Sequence, residues 1–181
     1  CKPRMMTLND FLPQRRSFYI VLEGVEKPGN LGAVIRSADG AGAEAVIMTN
    51  AKTDIYNHNV VRSSIGTIFM CPVLEASQLD IQAFFTRYDI ATYVATSRAK
   101  QLYTECDFTQ RSAIIIGNEH SGVSAFWQEQ GAREILIPML GEGRCLNAAM
   151  SSSIIMYEIC RQQGIVNQRK ERNAEKKSIS G

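Results

Sequence analysis

The chain has 181 residues, enough for one domain with a full core, and its 45% apolar and 21% charged residues are ordinary for a globular protein. No apolar run is long enough for a membrane span, and residues 1–16 lack the continuous apolar stretch of a secretory signal. Net charge is only +2, which alone points to no polyanionic partner; the five cysteines and two histidines form no CxxC pair and no cluster, which argues against a metal site or disulfide framework and for reduced thiols in the cytoplasm.

Residues 18–23 (FYIVLE) read as a buried strand. A helix follows at 30–41: Leu31, Val34, Ile35 and Ala38 recur at i, i+3, i+4 and i+7, Asn30 suits the N-cap and Gly42 suits the stop. A second strand is expected at 45–48, a short helix at 59–65 ended by Gly66, and extended chain at 67–73. Residues 77–88 read as a helix whose apolar surface comes from Leu79, Ile81, Ala83, Phe84 and Phe85. Strands are expected at 90–96 and at 113–117 (AIIIG), the latter with the unbroken apolar run of a central parallel strand. Ser124 is placed as the cap of a short helix that stops at Gly131, and 134–137 as the last strand. After the loop 138–146 comes the longest helix, 147–163, along which Leu146, Met150, Ile154, Tyr157 and Arg161 trace a stripe before Gly164 ends it.

Strand and helix in alternation imply an α/β domain at 18–166, a mainly parallel sheet with helices on both faces. Residues 1–17 are an extension, consistent with the remnant of an upstream domain, since the chain opens on Cys1 and not on Met. Residues 167–181 form a basic tail, disordered and solvated or else holding phosphates, in which Glu171 and Glu175 interrupt Arg169, Lys170, Arg172, Lys176 and Lys177.

Ligands of such sheets bind beyond the carboxyl ends of the strands, which selects the turns after Glu23, Ile116 and Ile137. The first loop, GVEKPGNLGAVIRSADGAG, allows close backbone approach at Gly29 and Gly32 and offers a helix N-terminus to a phosphate. Arg36 leaves the apolar stripe and could grip a phosphate bidentately, although on spacing alone a surface arginine on an ordinary capped helix is the better account. The glycine spacing is neither a P-loop nor GxGxxG. The second loop, IIIGNEHSGVS, crowds Asn118, Glu119, His120 and Ser121 at the end of a buried strand, which suits acid/base work or a plain solvated loop; there is no GxSxG around Ser121. In the third, IPMLGEGRCLNAAMSSS, Asn147 opens the long helix with small residues behind it, and Cys145 has no dedicated base. Arg62, with Asn57 and Asn59, is either an RNA contact or part of a capped surface helix.

Taken together and in this order, the loops resemble the three signature motifs of the SpoU (TrmH-type) family of RNA 2′-O-ribose methyltransferases. The run Asn30-Leu31-Gly32-Ala33-Val34-Ile35-Arg36-Ser37-Ala38 is similar to N-x-G-x-x-x-R-x-A, Gly117-Asn118-Glu119-His120-Ser121-Gly122 to G-x-E-x-x-G, and Ile137-Pro138-Met139 followed by Leu146-Asn147 to I-P-M…S-L-N-V-S. The chain departs from the third motif at Cys145 and at Ala148-Ala149, where size is kept but a hydroxyl is lost.

The resemblance implies a deep C-terminal trefoil knot, which pattern reasoning alone argues against because knots are rare. It implies S-adenosylmethionine bound within the knot, held by Gly117, Glu119, Ile137, Met139, Leu146 and Asn147. It implies a cytoplasmic homodimer, packed through the first-loop helix and the long helix, that methylates a ribose 2′-hydroxyl of rRNA or tRNA without a metal. The catalytic set carried over is Asn30, Arg36, Glu119 and Asn147. Arg36 is assigned as a clamp on the RNA phosphate rather than a base, because arginine is a poor base. Three alternatives stand beside this reading: a knotted module that binds RNA or S-adenosylmethionine without methylating, a nucleotide-dependent α/β enzyme, and a base methylase. The missing phosphate loops disfavour the second, and the N-x-G-x-x-x-R pattern disfavours the third.

Overall fold

The computed structural model describes residues 6–119, 121–141 and 146–164. Among these, six strands form one parallel sheet: β1 (Phe18–Glu23), β2 (Ala45–Thr49), β3 (Val73–Glu75), β4 (Ala91–Ala95), β5 (Ser112–Ile116) and β6 (Arg133–Ile135). Their spatial order is β3-β2-β1-β5-β4-β6. The strands richest in Val and Ile take the centre, where β1 and β5 are buried along their whole length and Ile20 lies in register with Ile114. Short β3 and β6 close the two edges.

Among the described residues, five helices cover the sheet: α1 (Pro28–Ala41), α2 (His58–Ser64), α3 (Gln78–Arg87), α4 (Phe126–Glu129) and α5 (Ala148–Gln163). Side chains alternate along β1, so it feeds two cores. Phe18, Ile20 and Leu22 pack with α1 and α5, through Leu31, Ile35, Ile155 and Ile159. Tyr19 and Val21 pack on the other face with Phe84, Phe85 and Trp127. Leu8 and Phe11 join this second core, Phe11 edge-on to Tyr19 at 6.4 Å. Residues 8–11 of the N-terminal extension are thus part of the folded unit. The tail 167–181 lies outside the described residues.

From β1 the chain steps outward to β2 and β3, then crosses to β4 and returns to β5 before leaving for β6. The connections after β1 and β5 therefore run to opposite sides, and a crevice opens between the carboxyl ends of these neighbouring strands.

Several local details differ from the expectations. Helix α1 starts at Pro28, with Lys27 as N-cap, two residues before Asn30. Proline's fixed φ suits the first helical position, so Asn30 falls inside the first turn with its side chain available for another partner. Residues 67–73 are not extended throughout: Gly66 sits at φ 80, and Thr67–Phe69 form a 3₁₀ turn. Ser124 does not cap α4, whose N-cap is Ala125; its backbone N–H donates to Glu23 instead. The last strand spans three residues and ends at Ile135.

The stripe along α5 is the outer face of that helix. Met150 and Tyr157 are each 56% exposed, whereas Ala148, Ala149, Ser152, Ile155, Met156, Ile159 and Cys160 face inward. Small residues are buried because α5 lies close on α1, where the Ser153 hydroxyl donates to that of Ser37 at 2.8 Å.

Candidate functional site

The turn after β5 doubles back on itself. Asn118 N–H donates to the Gly122 carbonyl at 3.1 Å, and Gly122 N–H to the Asn118 carbonyl at 2.8 Å. The closure leaves no room for a side chain at Gly117, where a Cβ would lie 2.2 Å from the carbonyl carbon and oxygen of Gly122. Asn118 Nδ2 donates to the Gly24 carbonyl at 2.8 Å, tying this turn to the one after β1.

Beneath the turn sits Glu23, the last residue of β1 and only 6% exposed. A buried carboxylate needs donors on both oxygens. Gln78 Nε2 donates to one at 2.8 Å, and Ser124 N–H and Trp127 Nε1 donate to the other at 3.0 and 3.1 Å. One side chain thus pins α3, α4 and the far end of the second loop to the central strand.

A cavity of about 410 Å³ opens over the carboxyl ends of β4, β5 and β6. Val94, Ile116, Ile137 and Leu146 contribute apolar walls, while Thr96 and Arg98 stand at its β4 side. Polar backbone comes from the turn at Gly117–Gly122. A narrower cleft adjoins it, lined by Lys27 and Asn30 of the first loop and sharing Gly117, Asn118, Glu119 and Ala148 with the cavity. Glu119 stands between the two spaces and accepts from both Asn30 Nδ2 and Lys27 Nζ.

Of the residues singled out in the sequence, Gly117, Glu119, Ile137, Met139 and Leu146 all line the cavity, and Asn30 reaches it through Glu119. Asn147 lines neither space. Its Oδ1 accepts from Met150 N–H at 2.8 Å and caps α5, which fixes its neighbours Leu146 and Ala148 in the cavity wall. Arg36 lines neither space and is exposed on the outer side of α1. Asn57 caps α2 by accepting from Asn59 N–H at 2.9 Å, and Arg62 is exposed there. His120 and Cys145 lie outside the described residues. Sequence reasoning passed over Lys27, Glu23 and Arg98. Only Glu23 carried a signal, a carboxylate ending an otherwise apolar strand.

Apolar walls with a few convergent polar groups suit a ligand with an aromatic ring and a polar tail. Among the described residues no three His, Cys, Asp or Glu side chains gather as a metal would require, and no helix is long and apolar enough to cross a membrane. Fold and site together define a doubly wound parallel α/β domain with a polar cleft at its β1/β5 switch point and a nucleoside-sized cavity beside it over β4, β5 and β6.

The profile of the SpoU rRNA Methylase family matches residues 17–157, and the chain belongs to that family. It is 34% identical over 161 residues to a 23S rRNA (uridine(2479)-2′-O)-methyltransferase of Streptomyces viridochromogenes, covering 85% of this chain and 56% of that protein. It is 29% identical over 140 residues to the 23S rRNA (guanosine(2553)-2′-O)-methyltransferase RlmP of Bacillus subtilis, covering 77% of this chain and 56% of RlmP. The chain therefore spans little more than half the length of these relatives. Among solved structures, an AdoMet-bound rRNA methyltransferase from Sinorhizobium meliloti superposes with a TM-score of 0.83 at 28% identity, over 87% of this chain and 61% of that one. The SpoU methyltransferase AviRb from Streptomyces viridochromogenes, in complex with AdoMet, gives 0.82 at 29% identity, over 87% and 62%.

Proposed function

We propose that the chain transfers a methyl group from S-adenosylmethionine to a ribose 2′-hydroxyl of RNA, with large-subunit ribosomal RNA as the first candidate and tRNA as the second. The observation that carries this reading is the position of Glu119, shared between a nucleoside-sized cavity and a polar cleft and held from the cleft side by Asn30 and Lys27. The cavity fits the cofactor: its volume is within the usual range for small-molecule sites, and the absence of a side chain at Gly117 lets the turn that lines it close against Gly122.

Gly117, Ile137, Met139 and Leu146 would hold the adenosine part, and Asn147 would act by locking the start of α5. When bound, the cofactor supplies an electrophilic methyl on a sulfonium. Glu119 places negative charge at the cleft end of the cavity, where it favours a cationic centre and orients a hydroxyl. Arg36 serves as a phosphate clamp, since a guanidinium presents a planar fork of donors and no acceptor. The test is transfer of labelled methyl to an unmodified 23S rRNA transcript, followed by alkaline hydrolysis. A 2′-O-methylated ribose leaves an uncut dinucleotide. Saturable cofactor binding with no transfer to rRNA or tRNA transcripts would move the reading to a binding module.

Three further parts belong to the same proposal. The C-terminal segment carries the trefoil knot, so mechanical unfolding leaves a chain shorter than its contour length. The target RNA places the protein in the cytoplasm. The assembly is a homodimer through α1 and α5, supported by the exposed Met150 and Tyr157 on the outer face of α5. Tyr157→Glu then converts the dimer to monomer in sedimentation velocity; an unchanged sedimentation coefficient would remove α5 from the interface.

A further inference from the structure

Lys27 occupies an electrostatically poor position. It is the N-cap of a 14-residue helix with no acidic residue in its first turn, where the helix macrodipole already presents positive charge. The ammonium is compensated from another part of the chain, by Glu119, 92 residues away on the turn after β5. The Lys27 side chain is nevertheless 64% exposed, against 22% for Glu119. An ammonium carries three N–H donors in a flexible fan. With one on Glu119, and a side chain this exposed, donors remain for a group arriving from solvent at the mouth of the cleft.

The neighbouring loop reinforces this geometry. Lys52 Nζ pairs with Glu26, and the Thr53 hydroxyl donates to the Glu26 carbonyl, so the segment after β2 is tied to the residue directly before Lys27. That bracing fixes the backbone from which Lys27 extends. Asn30, in the first turn of the same helix, reaches the same carboxylate. Whatever lies against Lys27 is thereby registered to Glu119 and to the cavity behind it.

Resting on the proposed methyl transfer, we propose that Lys27 is a positioning residue for the RNA strand. Its ammonium takes a backbone phosphate beside the target nucleotide while keeping its hold on Glu119. The 2′-hydroxyl and the phosphates of its own nucleotide are joined by a short, stiff segment of backbone. Fixing the phosphate therefore restricts where the hydroxyl stands relative to the carboxylate. No bond is made or broken by Lys27.

The experiment compares the full chain with Lys27→Met, Lys27→Gln and Lys27→Arg. Binding to a fluorescein-labelled 23S rRNA fragment is measured by anisotropy over a salt series, with cofactor affinity by calorimetry and transfer kinetics on the same transcript. Loss of one phosphate contact lowers the salt slope by about one and weakens RNA binding about tenfold at low salt, uniformly across sequences. The RNA KM of Lys27→Met and Lys27→Gln rises in step, and cofactor affinity stays within about twofold of the unaltered chain. Lys27→Arg, which retains charge and donors, restores the salt slope. A purely structural lysine would shift the melting temperature and leave the slope alone. An unchanged slope in both neutral variants overturns the proposal, as does RNA binding by the unaltered chain too weak to follow. The anisotropy arm needs no turnover, so absent methyl transfer would count against the proposed function while the slopes still decide the role of Lys27.

Discussion

Replacing Gly117 by alanine tests whether the turn after β5 builds the cofactor cavity. The added Cβ would stand 2.2 Å from both the carbonyl carbon and oxygen of Gly122, and 2.5 Å from Val123 N. These neighbours are backbone atoms and cannot rotate away, so the loop must retreat by roughly 1 Å or more to restore ordinary contact. Retreat breaks the paired hydrogen bonds between Asn118 and Gly122. Their loss costs about 1 kcal/mol each, and overpacking adds about 1–3 kcal/mol, for roughly 3–5 kcal/mol of folding stability. The same displacement moves one wall of the cavity, so affinity for S-adenosylmethionine falls about 100-fold, equivalent to about 2.7 kcal/mol.

Gly122→Ala supplies the control. It lies at φ +70, but a Cβ there meets nothing within 4 Å. Left-handed backbone strain of about 1–2 kcal/mol is expected, without displacement of the wall, and cofactor affinity within about fivefold of the unaltered chain. Urea unfolding reports the first quantity and calorimetric titration the second. Equal damage from the two substitutions, or cofactor affinity within twofold for Gly117→Ala, would show that the turn at Gly117 does not shape the cavity.

Two other perturbations follow from buried groups. Glu23→Ala leaves the indole N–H of Trp127, a residue 0% exposed, without its acceptor and frees Ser124 N–H, a destabilisation of about 2–4 kcal/mol in urea unfolding. Glu23→Gln costs less, because one amide oxygen still serves those two donors while Gln78 can reverse its own amide; equal losses would show that charge, and not acceptor geometry, matters there. Cys71 is buried, which with Asp39 nearby pushes its thiol from an ordinary 9.0 up to about 12. The neutral thiol is the form the fold prefers, so its contribution is intact below pH 9 and is lost as pH rises towards 12, by up to about 1.4 kcal/mol per pH unit. Burial raises the Tyr19 hydroxyl as well, adding to the decline above pH 10. Denaturation midpoints between pH 8.5 and 10.5 should fall more steeply for the unaltered chain than for Cys71→Ala.

The central strands were readable because each residue of β1, β2 and β5 is buried, and both faces demand apolar side chains. Helix ends at Gly42 and Gly164 were readable for a similar reason: both are left-handed, at φ 76 and 69, where glycine is unstrained. The start of α1 was misplaced because asparagine suits an N-cap by type, and only the fixed φ of Pro28 decides against it. The outer stripe of α5 was legible as a pattern but silent about direction. A helix pressed against another buries its small residues and can leave Tyr157 outside, so size and burial run opposite to the usual rule. The motifs led to Gly117, Glu119, Ile137, Met139 and Leu146, which the fold gathers around one cavity. Lys27 and Glu23 act through partners 92 and 101 residues distant, on a sheet order that no local pattern encodes.

Helix geometry separates two residues that the first motif groups together. Asn30 and Arg36 are six positions apart, so they project about 120° apart around α1 and about 9 Å along it. Asn30 turns inward to Glu119, whereas Arg36 is exposed and lines neither space. The two therefore project from different sides of α1, and only Asn30 lines the cleft. One holds the carboxylate beside the cavity; under the proposed function, the other takes an RNA phosphate at the outer face. Independent roles predict additive losses of transition-state stabilisation in Asn30→Ala, Arg36→Ala and the double variant, to within about 0.5 kcal/mol. Asn30→Ala should depress kcat with little change in the RNA salt slope, and Arg36→Ala should lower that slope by about one. A coupling energy above about 1 kcal/mol in single-turnover kcat/KM would instead place both side chains on the same reacting nucleotide, and with it require α1 to reorient when RNA binds.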